Sequence, residues 1–321
     1  MKISVFLLVL NLLSISIQSQ DLNRVDKIIR SYKDPASIEE LSQRINFDFK
    51  SPIEKARAAF SWVAMNINYY KYDANLIKIP AKIQYYTKVD LERQRKKNQE
   101  KKALQAFNKR EGVCEEFAFL LKKLYDYLEF ENELVFGYTK SSVNDIGYIP
   151  VKKNHVWNVL RIENRWIMCD VTFASGEGSL GIWRKKFNPL YFNSNKDFIR
   201  ITHFPEKKKW RDYLEQKELK EFCDDPIIQK AFLDSKAEII CPSNGRLLVN
   251  KNKKVLFKIK GINKKQTLSY RYKGESKSRI AKTIDVNGII EFYVKVPRKD
   301  TILSIYLENN LALQYKIETP F

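Results

Sequence analysis

A cysteine, a histidine and an aspartate lie in three short stretches whose residue types suit acyl-transfer chemistry. Cys114 opens the apolar pattern of REGVCEEFAFLLKKLYDYL (110–128), His155 begins HVWNVLRI, and Asp170 lies in WIMCDVTF. A thiolate is the nucleophilic form of cysteine, and a helix N-terminus or a neighbouring imidazolium favours that form. We therefore interpret Cys114 as a nucleophile, His155 as its general base and later acid, and Asp170 as the residue that orients the imidazole.

Each of these residues also has an ordinary structural interpretation. A cysteine on an apolar helix face more often packs in the core than reacts. A histidine in a strand is often a polar residue that only forms structural hydrogen bonds. The combination favours catalysis, because the chain has only two histidines and one of them follows the cysteine and precedes an aspartate. The other, His203 in THFP, has no carboxylate in its local pattern, and we interpret it as structural.

Cys114 is predicted to begin a helix. Apolar side chains recur after it at helical spacing and form one continuous face, which comprises Cys114, Phe117, Ala118, Leu121, Leu124, Tyr125 and Leu128. The backbone N–H of Cys114 is then a candidate donor to an oxyanion. An earlier helix is predicted in SPIEKARAAFSWVAMNI, since Ser51 can cap it, Pro52 suits its first turn and Glu54 completes a capping box.

The histidine and the aspartate are predicted to meet on one face of a β-hairpin. HVWNVLRI and WIMCDVTF have the composition of strands, and a tight turn at 163–164 joins them. A two-residue turn places Asp170 opposite Trp157 and diagonal to His155, on the same side of the sheet. A three-residue loop would break this parity.

The chain is predicted to contain a signal peptide (1–20), a catalytic domain (21–215), a linker (216–239) and a small β-sandwich (240–321). Lys2, the apolar ISVFLLVLNLL and the small polar residues after it are typical of a secretory signal. Short alternating runs near the C-terminus predict antiparallel strands of an accessory or interaction module. We therefore expect an exported protein, periplasmic or extracellular, without a membrane anchor after signal cleavage.

Four intervening segments are predicted to be less regular or solvated. NYYKYDANLIKIPAKIQYYTK is predicted to form a long surface loop, and GEGSLGIWRKKFNPL a glycine-containing loop. YFNSNKDFIRITHFPEKKKW is predicted to mix a short strand with turns. The charge run ERQRKKNQEKK (92–102) is interpreted as a solvated helix face, because no aromatic residues interleave with it.

The chain is strongly basic, with a formal net charge of +20. Such a charge favours acidic partners, including nucleic acid and anionic glycans, but the lysines and arginines are spread along the whole chain. We therefore favour a solvated basic surface and keep polyanion binding as a hypothesis that depends on charge alone. The sequence does not indicate an oligomeric state.

The four cysteines show no CxxC pair and no metal-ligand spacing, so no metal site is expected. The proposed chemistry needs no cofactor either. Cys223 and Cys241 flank one segment and are able to pair in an oxidising compartment, whereas Cys114 would have to remain a free thiol.

Three blocks resemble the core of the transglutaminase-like superfamily: FSWVAMNINY, EGVCEEFAFLLKKL and NHVWNVLRIENRWIMCDVTFASG, in this order. YFNSNKDFIRITHFPEKKKW resembles the extension of the kyphoscoliosis-peptidase and cytokinesis-type branch. The resemblance covers residues 45–212 and implies an α+β, papain-like core of helices on an antiparallel sheet. It also implies a catalytic triad of Cys114, His155 and Asp170.

The resemblance implies an enzyme acting on protein or peptide amides through a thioester, by hydrolysis or by transfer to an amine; we favour hydrolysis. The alternative is a non-catalytic scaffold that binds a partner through its β-sandwich. An upstream side chain of the oxyanion hole stays open among Trp62, Tyr69 and Gln84.

Overall fold

The structure is a computed structural model. It describes residues 22–70, 86–179, 182–216, 218–250, 253–263, 265–297 and 299–319. The predicted signal peptide (1–20) and most of the predicted surface loop (71–85) lie outside the described residues, so export and that loop stay predictions. Among the residues that the structure describes, no helix combines the length and apolarity needed to cross a lipid bilayer.

The described residues separate into two compact units. The first comprises the described residues up to Phe136 together with His155–Ser194, and the second comprises Gly137–Asn154 with the described residues from Asn195 onward. Each unit has its own hydrophobic core.

The first unit contains five longer helices and one short helix. They are α1 (22–30), α2 (Ile38–Asp48), α3 (Pro52–Asn66), α4 (Lys88–Lys109), α5 (Cys114–Tyr127) and α6 (Val171–Ser175). Its strands are β1 (Asn68–Tyr69), β2 (Glu111–Gly112), β3 (Asn132–Thr139, which continues into the second unit), β4 (His155–Ile162), β5 (Arg165–Cys169), β6 (Gly176–Ser179) and β7 (Ile182–Lys185).

Helix α5 lies at the centre of the first unit, in contact with α2, α3, α4, α6 and β4. Its predicted apolar face is confirmed, because Phe117, Leu121 and Leu124 are fully buried. The predicted capping box of α3 is also confirmed: Ser51 Oγ accepts from the Glu54 N–H, and the Glu54 carboxylate accepts from the Ser51 N–H. The predicted solvated helix is α4, which buries only alanines and a phenylalanine near its end.

Strand β4 lies between β5 and β3 and forms the predicted hairpin with β5. The predicted register is confirmed, with Ile162 opposite Arg165. The turn residues Glu163 and Asn164 have φ values of 49° and 63°, the left-handed pair that a tight hairpin turn requires. The second strand ends earlier than predicted, at Cys169, because Asp170 caps α6.

The prediction of a loop over GEGSLGIWRKKFNPL is wrong for the first part of that segment, where β6 and β7 pair as a second hairpin. The segment YFNSNKDFIRITHFPEKKKW contains more helix than predicted. Helices α7 (Lys196–Thr202) and α8 (Lys208–Tyr213) flank β8 (His203–Pro205), whose residues pair with Gly137–Thr139 in the second unit.

The remaining elements of the second unit form a β-sandwich with two short helices before it. The helices are α9 (Leu219–Asp224) and α10 (Lys230–Asp234). The strands are β9 (Ile227–Ile228), β10 (Glu238–Cys241), β11 (Arg246–Leu248), β12 (Lys254–Lys260), β13 (Leu268–Tyr272), β14 (Arg279–Ile280), β15 (Ile284–Val286), β16 (Ile289–Lys295), β17 (Thr301–Leu307) and β18 (Asn310–Glu318).

One sheet has the order β10-β12-β16-β15 and the other the order β11-β18-β17-β13-β14, with β9 also paired to β18. The two sheets enclose a core that includes Phe257, Phe292 and Tyr315. The predicted strand-rich C-terminal region is therefore confirmed. Its pairing is antiparallel in every described pair except β11 with β18, which is parallel.

All four cysteines are free thiols, so the suggested Cys223–Cys241 disulfide is absent from the structure. Cys223 is buried at the end of α9, whereas Cys241 lies in β10 with its Sγ 3.7 Å from the Leu256 carbonyl oxygen. Each sulfur therefore has its own separate surroundings.

Candidate active site

Cys114 is the first residue of α5, as predicted, and its side chain is half-buried. The preceding Val113 is extended, and its N–H donates to Oε2 of Glu116 at 3.1 Å. The first N–H groups of a helix have no partner within the helix and carry a partial positive charge. The thiol therefore lies where the backbone itself stabilises negative charge.

His155 and Asp170 form a buried pair in the same unit. Nε2 of His155 lies 2.6 Å from Oδ2 of Asp170, and the two side chains are 5% and 1% exposed. His155 begins β4 and Asp170 follows β5, so the register of the hairpin brings the two residues together. The ring of His155 also packs against Trp157 and Phe173, at centroid distances of 6.1 and 4.9 Å.

Asp170 is held by its backbone as well as by its side chain. Its other carboxylate oxygen, Oδ1, accepts from the Phe173 N–H at 3.0 Å and thereby caps α6. Its own N–H donates to the Tyr191 carbonyl oxygen at 2.9 Å. The carboxylate is thus fixed in the orientation that faces the imidazole.

The surroundings of His155 favour its protonated form. Burial of the ring lowers the pKa of His155, but the charge and hydrogen bond of Asp170, and then the hydrogen bond and charge of Cys114, raise that pKa to about 10. All three predicted residues lie in the first unit, and the structure pairs two of them, His155 and Asp170.

A buried ion pair holds the chain segment that contacts Asp170. The Arg57 guanidinium donates two hydrogen bonds to Asp26, at 2.9 and 2.8 Å, and a third to the Pro189 carbonyl oxygen at 3.3 Å. Pro189 opens the turn that presents the Tyr191 carbonyl to Asp170. Sequence patterns gave no signal for this link, because its members are far apart in the chain.

One of the three candidates for an oxyanion donor, Tyr69, lies close in the fold to the residues just before Cys114. Trp62 is fully buried and stacks on Phe107, so it belongs to the core between helices. Gln84 lies outside the described residues. Tyr69 lies in β1, which pairs in parallel with β2 and brings Tyr69 opposite Gly112, two residues before Cys114.

Trp183 adjoins this region and was missed by the sequence interpretation. Its ring stacks on Tyr69 with a centroid distance of 4.7 Å. It lies in β7, within the segment predicted as a loop. A short run on each side of a glycine-containing turn is a hairpin signal, and that signal was available in GEGSLGIWRK.

His203 belongs to the second unit, at the start of β8. It is fully buried, and its Nδ1 lies 2.7 Å from the Thr202 hydroxyl. Its structural role stays a prediction, as does the expectation that the site needs no metal or cofactor.

Comparison with known families decides how this site is classified. Residues 39–171 match the family model described as "Transglutaminase-like superfamily", a span that includes Cys114, His155 and Asp170. The chain contains a transglutaminase-like domain. The predicted resemblance is confirmed, and with it the α+β, transglutaminase-like fold of the core. A transglutaminase-like domain supports a papain-like enzyme or a scaffold.

Curated relatives agree with the predicted branch. Kyphoscoliosis peptidase of Homo sapiens is 22% identical over 215 residues, 66% of this chain and 30% of that protein. Kyphoscoliosis peptidase of Mus musculus is 23% identical over 190 residues, 58% of this chain and 26% of that protein. Cytokinesis protein 3 of Schizosaccharomyces pombe is 31% identical over 104 residues, 32% of this chain and 12% of that protein. The chain spans less than a third of the length of each relative.

A solved structure described as "Crystal structure of a TGase" aligns with 49% of this chain and 34% of its own, with 16% identity and a TM-score of 0.28. An alignment at this score carries no argument about function.

Proposed function

We propose that the transglutaminase-like domain is a cysteine-dependent enzyme that acts on protein or peptide amides through a thioester. The observation that carries the proposal is the buried His155–Asp170 pair, 2.6 Å apart, whose imidazole also interacts with Cys114 at the start of α5. Nucleophile, base and orienting carboxylate are the three parts that such acyl transfer requires.

In the resting site the proton of Cys114 is held by His155, and the reaction begins when the thiolate Sγ attacks the carbonyl carbon of the amide. Since Nε2 of His155 is held by Asp170, Nδ1 is the nitrogen that exchanges protons with sulfur. The tetrahedral intermediate then collapses, the C–N bond breaks, and His155 gives the proton to the leaving amine. An acyl thioester remains on Cys114.

The thioester is resolved by water or by a lysine amine. The attacking group loses its proton to His155 and the C–S bond breaks, which restores the Cys114 thiolate beside protonated His155. We favour hydrolysis, which agrees with the name peptidase of the human and mouse relatives. The protein or peptide substrate and its sequence stay open in this proposal.

The proposed place of action is outside the cytoplasm, after removal of the signal peptide 1–20. The basic start at Lys2 and the apolar stretch after it support this proposal. Cell fractionation with N-terminal sequencing of the mature chain tests it. An intact N-terminus on protein from the cytoplasm would argue against export.

The test of the enzyme is the pH dependence of alkylation at Cys114. Limiting iodoacetamide is applied to the wild type and to His155→Ala, and peptide mass mapping assigns the labelled cysteine. We expect rapid labelling in the wild type well below the free-thiol pKa of about 8.5, and loss of that labelling in His155→Ala. Labelling that rises only near the free-thiol pKa in both proteins would contradict the proposal.

A scaffold that binds a partner through the β-sandwich is the second candidate. The exposed apolar side chains of the β10-β12-β16-β15 sheet support it, since Ile284 and Tyr293 are 65% and 56% exposed. In a scaffold, Cys114→Ala leaves the biological function intact, whereas in an enzyme that variant abolishes it.

An acidic partner, proposed from the net charge of +20, gives a separate test. Heparin is the probe, and binding should weaken steeply as salt is raised. Binding that does not change with salt would remove this partner class from consideration.

A further inference from the structure

Tyr69 is held beside the start of α5 by the backbone. In the parallel pair of β1 and β2, Tyr69 lies opposite Gly112, and the next residue, Tyr70, donates its N–H to the Gly112 carbonyl oxygen at 2.9 Å. Gly112 is two residues before Cys114. The position of Tyr69 relative to the thiol is therefore set by main-chain hydrogen bonds and does not depend on a flexible loop.

Aromatic neighbours fix the ring of Tyr69. Trp183 stacks on it at 4.7 Å with an interplanar angle of 29°, and Phe117, one turn into α5, lies at 6.3 Å. Trp183 reaches this position because residue 176 is glycine: a Cβ there would lie 2.8 Å from two atoms of the indole. The half-buried Tyr69 ring is thus oriented before any substrate arrives.

The hydroxyl of Tyr69 is a donor with no partner among the described residues. Burial raises the pKa of Tyr69, and the charges of Cys114, Glu116 and Asp170 raise it further. The phenol therefore keeps its proton at neutral pH, in a place where negative charge is already concentrated. A protonated hydroxyl near developing negative charge is the element of an oxyanion hole that a helix N-terminus alone does not supply.

We infer that the Tyr69 hydroxyl donates a hydrogen bond to the acyl carbonyl oxygen while that oxygen becomes an oxyanion at Cys114. The backbone N–H of Cys114 is the second donor. This assignment depends on the proposed thioester chemistry, and it gives Tyr69 a catalytic role in the attack step. Of the upstream candidates that the structure describes, Tyr69 is the one whose strand pairs with the residues just before Cys114 and whose hydroxyl has no partner among the described residues.

The experiment compares two reactions of the same sulfur. Acylation by p-nitrophenyl acetate passes through an oxyanion, whereas alkylation by iodoacetamide displaces iodide and forms none. Rates of both are measured for the wild type, for Tyr69→Phe and for the matched control Tyr70→Phe, which removes a neighbouring exposed hydroxyl. Mass mapping confirms that Cys114 carries the acetyl group, and Cys114→Ala gives the background.

We expect Tyr69→Phe to acylate on the order of 10² times more slowly, because removal of one oxyanion donor has an effect of this size. Its alkylation rate should stay within about twofold of the wild type, since the ring and its packing are retained. Tyr70→Phe should change neither rate. Alkylation that falls as much as acylation, or acylation that does not fall, would overturn the assignment.

The same experiment gives one result if the proposed function fails and another if only the role of Tyr69 fails. If wild-type Cys114 is not acetylated above the Cys114→Ala background, the thioester chemistry fails and the role of Tyr69 fails with it. If the wild type is acetylated and Tyr69→Phe is acetylated equally fast, only the role of Tyr69 fails.

Discussion

Oδ2 of Asp170 lies 2.6 Å from Nε2 of His155, although 15 positions of the chain separate the two residues. The contact follows from a two-residue turn, because side chains in paired strands share a face only when the register has the right parity. A shift by one residue would move Asp170 to the opposite side of the sheet. The chemistry proposed for the site therefore depends on the left-handed pair Glu163 and Asn164.

Asp170→Asn should separate the effect of the Asp170 charge on His155 from the role of Asp170 as the cap of α6. Asparagine keeps an oxygen that can accept from the Phe173 N–H and cap α6, but it lacks the charge that raises the pKa of His155. We expect acylation of Cys114 at neutral pH to fall by a factor on the order of 10³, and we expect loss of the stability that the Asp170 charge gives to protonated His155. The p-nitrophenyl acetate assay and urea unfolding measure the two effects. Asp170→Ala is the control, and it should lose more stability than Asp170→Asn because it also removes the cap of α6.

His155 should make the stability of the protein fall as pH rises. Its pKa is raised from 6.5 to about 10 in the folded protein, so the folded state binds more protons than the unfolded state between these values. The stabilisation is complete below pH 6.5 and is lost as pH rises through 10. Urea unfolding of the wild type and of His155→Gln, near both pH values, measures the difference. A difference in unfolding free energy that does not shrink with rising pH would contradict this expectation.

Lys140 should have the opposite pH dependence in the second unit. It is 3% exposed, and its amine donates to the carbonyl oxygens of Phe222 and Asp225 at 2.5 and 2.8 Å. Burial lowers the pKa of Lys140 from 10.5 to about 8, in spite of the opposing charge of Asp225. Between these values the unfolded state binds more protons, so stability should rise with pH.

Lys140→Met tests this behaviour. Methionine fills much of the same space but leaves two carbonyl groups without their donor, which we expect to cost about 1–3 kcal/mol of unfolding free energy. The cost should grow between pH 8 and pH 10.5, as the wild type gains stability that the variant does not. Urea unfolding at both ends of this range measures it, and a constant difference would mean that Lys140 does not titrate there.

Gly176→Ala should disturb the hairpin that carries Trp183. A Cβ at this position would overlap the Arg184 carbonyl oxygen and lie 2.8 Å from the Trp183 indole, so the backbone has to move. We expect a loss of about 1–3 kcal/mol, together with a change in the near-UV circular dichroism of the stacked Tyr69 and Trp183 rings. Adding Trp183→Leu should restore only part of the stability, because the clash with the carbonyl oxygen remains. Wild-type stability and spectrum in Gly176→Ala would show that the hairpin is not tightly packed.

The part of the site that the sequence predicted correctly is the part decided by short-range rules. The start of α5 at Cys114 follows from helical periodicity, and the pairing of β4 with β5 follows from a tight turn between two apolar runs. The prediction failed at the end of β5, because the strand was expected to continue through WIMCDVTF and it ends at Cys169. Aspartate is also a preferred N-cap residue, and in the structure Asp170 caps α6 and does not extend the strand.

The sequence by itself determined the candidate site residues and the parity that brings His155 to Asp170, because both depend on residues close together in the chain. Only the tertiary structure decided which residues lie beside the start of α5 and which hold the segment that contacts Asp170. Tyr69, Trp183 and the Arg57–Asp26 pair come from distant segments. Their positions depend on how helices and hairpins pack into one core, and no local pattern encodes that packing.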